Sequence, residues 1–381
     1  MGKLDYYKNL VFVGPVPPFQ GGIADYVYIM QKILTGEFCV CCLSFKLDSK
    51  LYFLLSRRKD ISPNRKFSVP EARFLLPRLG LLEGSLNSAF QWLRETNPAG
   101  VIVQWWHPVY FLLYYILICW LNKQQIPVYI DCHNFFPHEP FPGTKLAVRQ
   151  LFNRTCGIFV HSSKVKNQIT SFLPGIRTIY FPLPLFDIYC ISNLTSKEAR
   201  KKLDITSSKV LLFFGYLRKY KGLDFLKEVI SKLNLVLDDW ELILAGEEWK
   251  TLSSRKAPSF PSNQVKLIKH FIQDEEVEVY FKSADLLLCT YTEEATQSGV
   301  LSLAYAFNLP VVATPVGSFT EFILPDKTGI LASTPESFAN AIVDFFNKNK
   351  KEKMQKEISK WKEKLFATPE IIVKTFKDEF N

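Results

Sequence analysis

Short, continuous apolar runs alternate with amphipathic helical stretches along most of this chain, and no other feature restricts its fold as much. Runs at residues 10–14, 38–45, 100–104, 127–131 and 157–161 are followed by others at 210–215, 241–245, 265–269, 285–288 and 311–314. Many are apolar throughout rather than at every second residue, as strands covered on both faces are. The pattern predicts parallel sheets with crossover helices, an α/β protein. The series pauses between residues 181 and 208 and then resumes with a fresh strand. That pause marks a boundary between a first Rossmann-like domain at 1–185 and a second at 186–365. An amphipathic tail with Ile371, Ile372, Val373 and Phe376, within 366–381, is expected to cross back onto the first domain. Two doubly wound domains in tandem present the carboxyl ends of two sheets to a cleft, where such folds bind ligands.

Composition narrows the class. Apolar residues at 48% and aromatics at 14% exclude a disordered chain, and 381 residues suffice for two cores. The net charge of +10 is lopsided: residues 1–190 hold 20 Lys and Arg against 11 Asp and Glu, and the remainder is nearly neutral. A basic half implies an anionic partner. Arg57, Arg58, Lys59, Arg65, Lys66, Arg73 and Arg78 are interleaved with Leu51, Tyr52, Phe53, Leu54, Leu55, Phe67, Phe74, Leu75 and Leu76. Cations beside apolar anchors suit an anionic membrane surface, unless those side chains pack inward. No recognition module accompanies the charge, so nucleic acid is not expected. The eight cysteines read as reduced, buried thiols, and the CxxC spacing of Cys39 and Cys42 lacks a second pair or a His cluster for zinc. Residues 101–120 are apolar, but Gln104, His107 and Pro108 interrupt them, leaving too little for a span of about 20 residues. A strand, a loop and a buried helix are expected there. The opening residues show no secretory pattern, so a cytoplasmic protein, peripheral at most on the inner membrane face, is expected.

Several constellations sit where strands hand over to helices. The loop after the first run reads Pro-Pro-Phe-Gln20-Gly21-Gly22-Ile-Ala-Asp25. Its glycines lie where helix N-terminal N–H groups can meet an anion, or they simply make a tight turn. It lacks G-x-G-x-x-G, which argues against a nicotinamide enzyme. Gly215-Tyr-Leu-Arg218-Lys219-Tyr-Lys221-Gly222 crowds cations into one loop, read as exposed, where a diphosphate would supply both counter-charge and acceptors. A plain wet basic loop is the alternative. Further on, Glu293, Glu294, Thr296 and Gln297 precede Ser298, Gly299 and Val300. Ser298 suits an N-cap, Gly299 permits close approach by a ligand, and the carboxylates either bond sugar hydroxyls or complement the helix dipole. At the end of the fourth run lie His133, Asn134 and His138, with His133 expected to face the cleft and able to bond a hydroxyl or relay a proton.

Taken together, these motifs with Leu-Ala-Gly246, Phe271-Ile272-Gln-Asp-Glu-Glu-Val, Ala284-Asp285 and Pro310-Val-Val-Ala-Thr-Pro-Val-Gly317-Ser-Phe-Thr-Glu321 resemble a GT-B glycosyltransferase of the retaining glycosyltransferase family four. Thr-Gln-Ser-Gly-Val resembles a bacterial branch that builds surface polysaccharides. The resemblance implies two Rossmann-like domains facing across a cleft. It also implies transfer, with retention, from a nucleotide diphosphate sugar to a glycan or lipid-linked acceptor, without a metal or other cofactor. His133, Arg218 and Lys221 would be catalytic. Gly21, Gly22, Gly215, Phe271, Ile272, Glu293, Glu294, Thr296, Gln297, Ser298, Gly299 and Val300 would hold the donor. Gln20, Asp25, Trp106, His107, Asn134 and His138 would hold the acceptor. Two departures stand out: Tyr216 occupies the place of a family arginine, and Ala295 and Leu303 occupy the places of two glutamates eight apart, of which the second binds nucleotide ribose. A non-catalytic homologue that binds a nucleotide sugar or a partner protein is therefore the alternative.

Overall fold

The computed structural model describes residues 8–47, 61–62, 65–77, 86–136, 142–248, 260, 263–293 and 298–380. The chain forms two compact units, Met1–Pro184 with Ala367–Asn381, and Leu185–Phe366. The first holds a parallel sheet of β1 (Asn9–Val13), β2 (Cys39–Phe45), β3 (Ala72–Leu76), β4 (Gly100–Trp105), β5 (Val128–Cys132), β6 (Gly157–Val160) and β7 (Thr178–Tyr180). Their order is β3-β2-β1-β4-β5-β6-β7. The second holds β8 (Lys209–Phe214), β9 (Trp240–Ala245), β10 (Val265–Ile268), β11 (Leu286–Cys289), β12 (Val311–Ala313) and β13 (Gly329–Leu331), in the order β10-β9-β8-β11-β12-β13. In each sheet the order reverses at the first strand, and the loops leaving the two strands that flank the reversal are where such sheets bind ligands.

The central strands are buried along their whole length, as continuous apolar runs require: β4, β5, β6 and β11 expose no residue. Three strands, β3, β7 and β13, were not expected. They are short edge strands, and β7 has no fully buried residue, so they lack a long apolar run. Residues 101–120 resolve into β4, a 3-10 turn at Pro108–Tyr110 and a helix at Phe111–Lys123. No described helix is long and apolar enough to cross a membrane.

In the described part of the expected membrane-facing segment, Lys66 and Arg73 are exposed, but other members turn inward. Arg65 buries its guanidinium against the Asp25 carboxylate and donates to the Phe19 carbonyl at 3.0 Å, while Phe67 and Leu76 are buried. Phe74 and Leu75 pack on the first unit's core. Residues 51–59 and Arg78 lie outside the described residues. All eight cysteines are free, but Cys156 and Cys190 are exposed rather than buried. Cys39 and Cys42 fall on opposite faces of β2, which removes the CxxC pairing.

The helix Pro369–Phe380 closes the first unit. Phe376 stacks on Phe159 at 5.1 Å and Phe12 at 6.0 Å. Lys8 Nζ donates to the Phe380 carbonyl at 2.7 Å, and Arg177 pairs with Glu379 at 2.6 Å. A Cβ on Gly100 would meet the Phe380 ring at 2.2 Å, so only glycine lets this helix seat. Ile372 is buried, whereas Ile371 is exposed.

Candidate functional site

In the first unit, β1 runs into a loop whose Gly21, at φ 107°, caps the helix Gly22–Leu34. A left-handed cap of this kind is strained for any residue with a Cβ, which explains the glycine. Gln20 is partly buried, and its Oε1 has no hydrogen-bond partner among the described residues. Asp25, expected to contact an acceptor, is instead buried and paired with Arg65. After β4, the Trp106 ring lies 4.6 Å from that of Tyr110. His107 caps the following turn, its Nδ1 accepting from the Val109 N–H at 3.1 Å, so this ring nitrogen is committed to the backbone rather than to an acceptor. Asn134 donates to the Trp106 carbonyl at 3.4 Å, and His138 lies outside the described residues.

His133 follows β5 beside a polar network that sequence reasoning missed. Tyr26 donates to Asp131 Oδ2 at 2.8 Å, His161 Nε2 meets Asp131 Oδ1 at 2.6 Å, and His161 Nδ1 meets the Phe181 carbonyl at 3.0 Å. His161 thus bridges the Asp131 carboxyl group and the Phe181 carbonyl. Burial raises the Asp131 pKa, but His161 and the other donors outweigh it and leave the carboxyl below its ordinary value. His133 Nε2 lies 2.6 Å from Gln104 Oε1, and burial pushes its pKa down to about 4. It is therefore neutral at pH 7, suited to hydrogen bonding and not to donating a proton as an imidazolium.

Asp131, His133 and His161 place one donor atom each within 4.8 Å of one another, the one such group of His, Cys, Asp and Glu among the described residues. The His161–Asp131 contact at 2.6 Å is a hydrogen-bond distance. Two ligands about 2.1 Å from one tetrahedral zinc would stand roughly 3.4 Å apart, so this pair as placed closes on a proton. The sequence signal available was position: His161 follows the last residue of β6, at a carboxyl end.

In the second unit, β8 ends at Gly215, φ 94°, and a loop with a 3-10 turn at Lys219–Lys221 leads to Gly222, φ 71°, which caps the helix Leu223–Val236. A Cβ on Gly222 would lie 1.8 Å from the Thr290 carbonyl oxygen, and one on Gly246 would lie 2.1 Å from that of Gly215. These contacts press β8, β9 and β11 loops together without side chains between them. Lys221, expected in an exposed loop, is 5% exposed. Its Nζ turns back beneath Gly215, donates to the Phe214 carbonyl at 3.2 Å and lies 5.7 Å from the centre of the Tyr291 ring. Among the described residues no carboxylate pairs with it. Burial, with Arg218 opposing charge nearby, lowers its pKa to about 8.

A Cβ on Gly215 would stand 2.7 Å from Lys221 Nζ and 3.6 Å from Val300 Cγ2. Bare backbone, ammonium and the first turn of the helix Gly299–Ala306 thus converge. Ser298 caps that helix, its Oγ accepting from the Leu301 N–H at 3.3 Å. A Cβ on Gly299 would lie 3.2 Å from the Phe186 ring. Arg218 is partly buried, with its guanidinium 5.1 Å over the Tyr220 ring. Phe271 lies 6.5 Å from Tyr216 ring to ring, Ile272 is buried, and Glu293 is exposed. Glu294, Thr296 and Gln297 lie outside the described residues.

Residues 208–348 match the family model described as glycosyl transferases group 1. The second unit carries a glycosyl transferases group 1 domain. Over 182 residues the chain is 28% identical to YtcC of Bacillus subtilis, named as a glycosyltransferase, covering 45% of each chain. It is 29% identical over 129 residues to an uncharacterized glycosyltransferase of Haemophilus influenzae, 33% of this chain and 35% of that one. The chain thus matches less than half the length of these relatives. Among solved structures, sucrose-phosphate synthase from Thermosynechococcus elongatus superposes with a TM-score of 0.74 at 14% identity, covering 98% of both chains. Anabaena HepE in complex with UDP-glucose gives 0.73 at 16% identity, over 98% of this chain and 99% of that one. At such identities the likeness shows the fold: two parallel-sheet α/β units of the GT-B class.

Proposed function

We propose that this protein is a retaining, metal-independent glycosyltransferase that moves a sugar from a nucleotide diphosphate sugar to a hydroxyl of a glycan or lipid-linked glycan, in surface polysaccharide synthesis. The observation that carries the reading is Lys221, an ammonium buried beside a capped helix N-terminus with no carboxylate among the described residues to balance it. A buried, uncompensated charge is costly, and a diphosphate would relieve it while gaining the helix N–H groups as donors. In the transfer, the anomeric carbon–phosphate oxygen bond breaks and a bond to the acceptor oxygen forms on the same face, the acceptor proton passing to the departing diphosphate. Negative charge grows on that diphosphate. Lys221 and Arg218, with the N–H groups after Ser298, are the donors proposed to meet it. Tyr216 and Phe271 offer apolar surface to the base, and neutral His133 serves as a hydrogen-bonding group for a sugar hydroxyl.

HepE was solved with UDP-glucose, which supports UDP-sugars as the first donors to assay. The test is thermal stabilisation by a panel of nucleotide sugars, followed by donor hydrolysis and transfer. A ligand at 100 times its Kd adds about 2.7 kcal/mol. Stabilisation without hydrolysis or transfer would favour the non-catalytic reading, which Leu303, buried where the family resemblance places an acid, keeps in view. No stabilisation by any nucleotide sugar would overturn both.

A further inference from the structure

The first unit carries an apolar and basic face that the sequence reading did not single out. It begins in the loops leaving β4 and β5, the same loops that present Trp106 and His133. Val109 and Leu112, on the 3-10 turn and the start of the helix Phe111–Lys123, are 59% and 53% exposed. Leu146, on the helix Thr144–Phe152, is 62% exposed, and that helix packs against both of these elements. Isolated exposed leucines are ordinary, whereas large ones grouped on adjoining elements ask for a partner.

Charge indicates which partner. Lys145 and Arg149 share the helix of Leu146, and Lys123, Arg154, Lys164 and Lys166 lie in the same stretch of chain, 109–172, where the described residues hold one carboxylate, Asp131, which is buried. The cations lie close to apolar surface. Arg149 sits 5.4 Å over the Phe172 ring and Arg154 5.0 Å over that of Tyr115. Phe172 meets Phe136 edge-on at 5.6 Å, at a shallow hollow of about 580 Å³ that Lys164 also lines. Guanidinium and ammonium groups can thus take lipid phosphates while Val109, Leu112 and Leu146 reach the acyl boundary.

We propose that this face docks the protein on a bilayer rich in anionic phospholipid, bringing the loops after β4 and β5 to the interface. A surface rich in cations, with no exposed carboxylate among the described residues of this stretch, gains from the negative potential of such a leaflet, and its attraction is screened by salt.

The test is cosedimentation of the full chain with phosphatidylcholine vesicles and with vesicles containing about one third phosphatidylglycerol, at low and high salt. Binding is expected to the anionic vesicles at low salt and to fall at least tenfold at high salt. Two variants probe the two components: Leu112→Asp with Leu146→Asp, and Lys145→Glu with Arg149→Glu. All four side chains are exposed, so thermal melting should be unchanged. Each variant should lower vesicle affinity at least tenfold. The proposal is overturned if the parent chain does not bind, or if both variants bind as the parent does. It is equally overturned if binding is lost only on reversing Arg57, Arg58 and Lys59. It also falls if the leucine variant merely converts a dimer to a monomer with vesicle binding intact, since the face would then join two copies. Vesicle binding involves no sugar transfer, so it stands or falls separately from the proposed activity.

Discussion

In the first unit the buried carboxylate of Asp131 meets His161 at 2.6 Å and Tyr26 at 2.8 Å, and His161 spends its other nitrogen on a backbone carbonyl. In the second unit the buried ammonium of Lys221 meets one backbone carbonyl at 3.2 Å and two aromatic rings. Both sit toward the carboxyl ends of parallel strands: Lys221 follows β8, which flanks the reversal of strand order, whereas Asp131 lies on β5, one strand beyond it. One charge is balanced by protein. For the other, no carboxylate is paired among the described residues, and burial lowers its pKa to about 8. The first cluster therefore reads as a frame that holds a loop, and the second as a place for a ligand.

Removing one partner of the closed network should have the largest effect. Asp131→Ala leaves the buried Tyr26 hydroxyl and His161 Nε2 without their partner, and each such unsatisfied group typically costs about 1–3 kcal/mol. The first unit should unfold at a much lower denaturant concentration. A variant as stable as the parent would show that the network is not the frame proposed here. The linkage sign follows from Asp131: its folded pKa lies below the usual value, so its contribution is present above the unfolded pKa and is lost as acid titrates the folded carboxyl.

Lys221→Met should behave in the opposite way. Replacing an unbalanced buried charge by an apolar side chain is often neutral or stabilising. Turnover should nevertheless fall by about 10² or more, the effect of losing one donor to a developing anion. A thermal melt and a transfer assay on the same sample separate the two. Marked destabilisation with intact turnover would make Lys221 structural.

The same lysine gives a pH signature. Its pKa of about 8 means that above this pH the free protein loses the ammonium, and a bound diphosphate would have to restore the proton. Affinity for a nucleoside diphosphate should fall by up to about tenfold per pH unit between 8 and the pKa of the complex, with proton uptake visible by calorimetry in buffers of different ionisation enthalpy. The stability of the free protein runs the other way. The unfolded chain binds more protons between pH 8 and 10.5, so this group's contribution becomes less unfavourable as pH rises through that window.

Much of the architecture was legible because central parallel strands must be apolar throughout, and the sequence shows this for β4, β5, β6 and β11. Edge strands escaped: β7 and β13 have three residues each, and half-covered strands impose little pattern. Glycines at Gly215 and Gly222 could be placed at loops, but not the contacts that require them, since these come from Thr290 and Val300, far along the chain, and from Lys221 folding back beneath Gly215. The burial of Lys221 and the Arg65–Asp25 pair were illegible for the same reason. Charge in a sequence reads as exposure until a fold supplies the cover. His161 was visible only as a strand end, its partner Asp131 lying thirty residues earlier.

The smallest expected effect concerns ribose. Leu303 is buried one turn into the helix Gly299–Ala306, at the place where the family resemblance puts a ribose-binding glutamate. A leucine accepts no hydrogen bond, so the interaction worth roughly 1.5–3 kcal/mol when a hydroxyl donates to a carboxylate is missing at that position. Binding should then rest on the diphosphate and the base. A 2′-deoxynucleoside diphosphate is expected to bind within about threefold of its ribose counterpart, where a retained carboxylate contact would make the difference at least tenfold. Titration calorimetry of the pair measures it directly. A tenfold or larger loss for the deoxy ligand would mean that a carboxylate outside this helix holds the ribose. Glu293 is the described candidate, since it is exposed just ahead of the Ser298 cap. Glu293→Gln, tested with the same two ligands, should then remove the discrimination, and if it does not, the contact belongs to another residue.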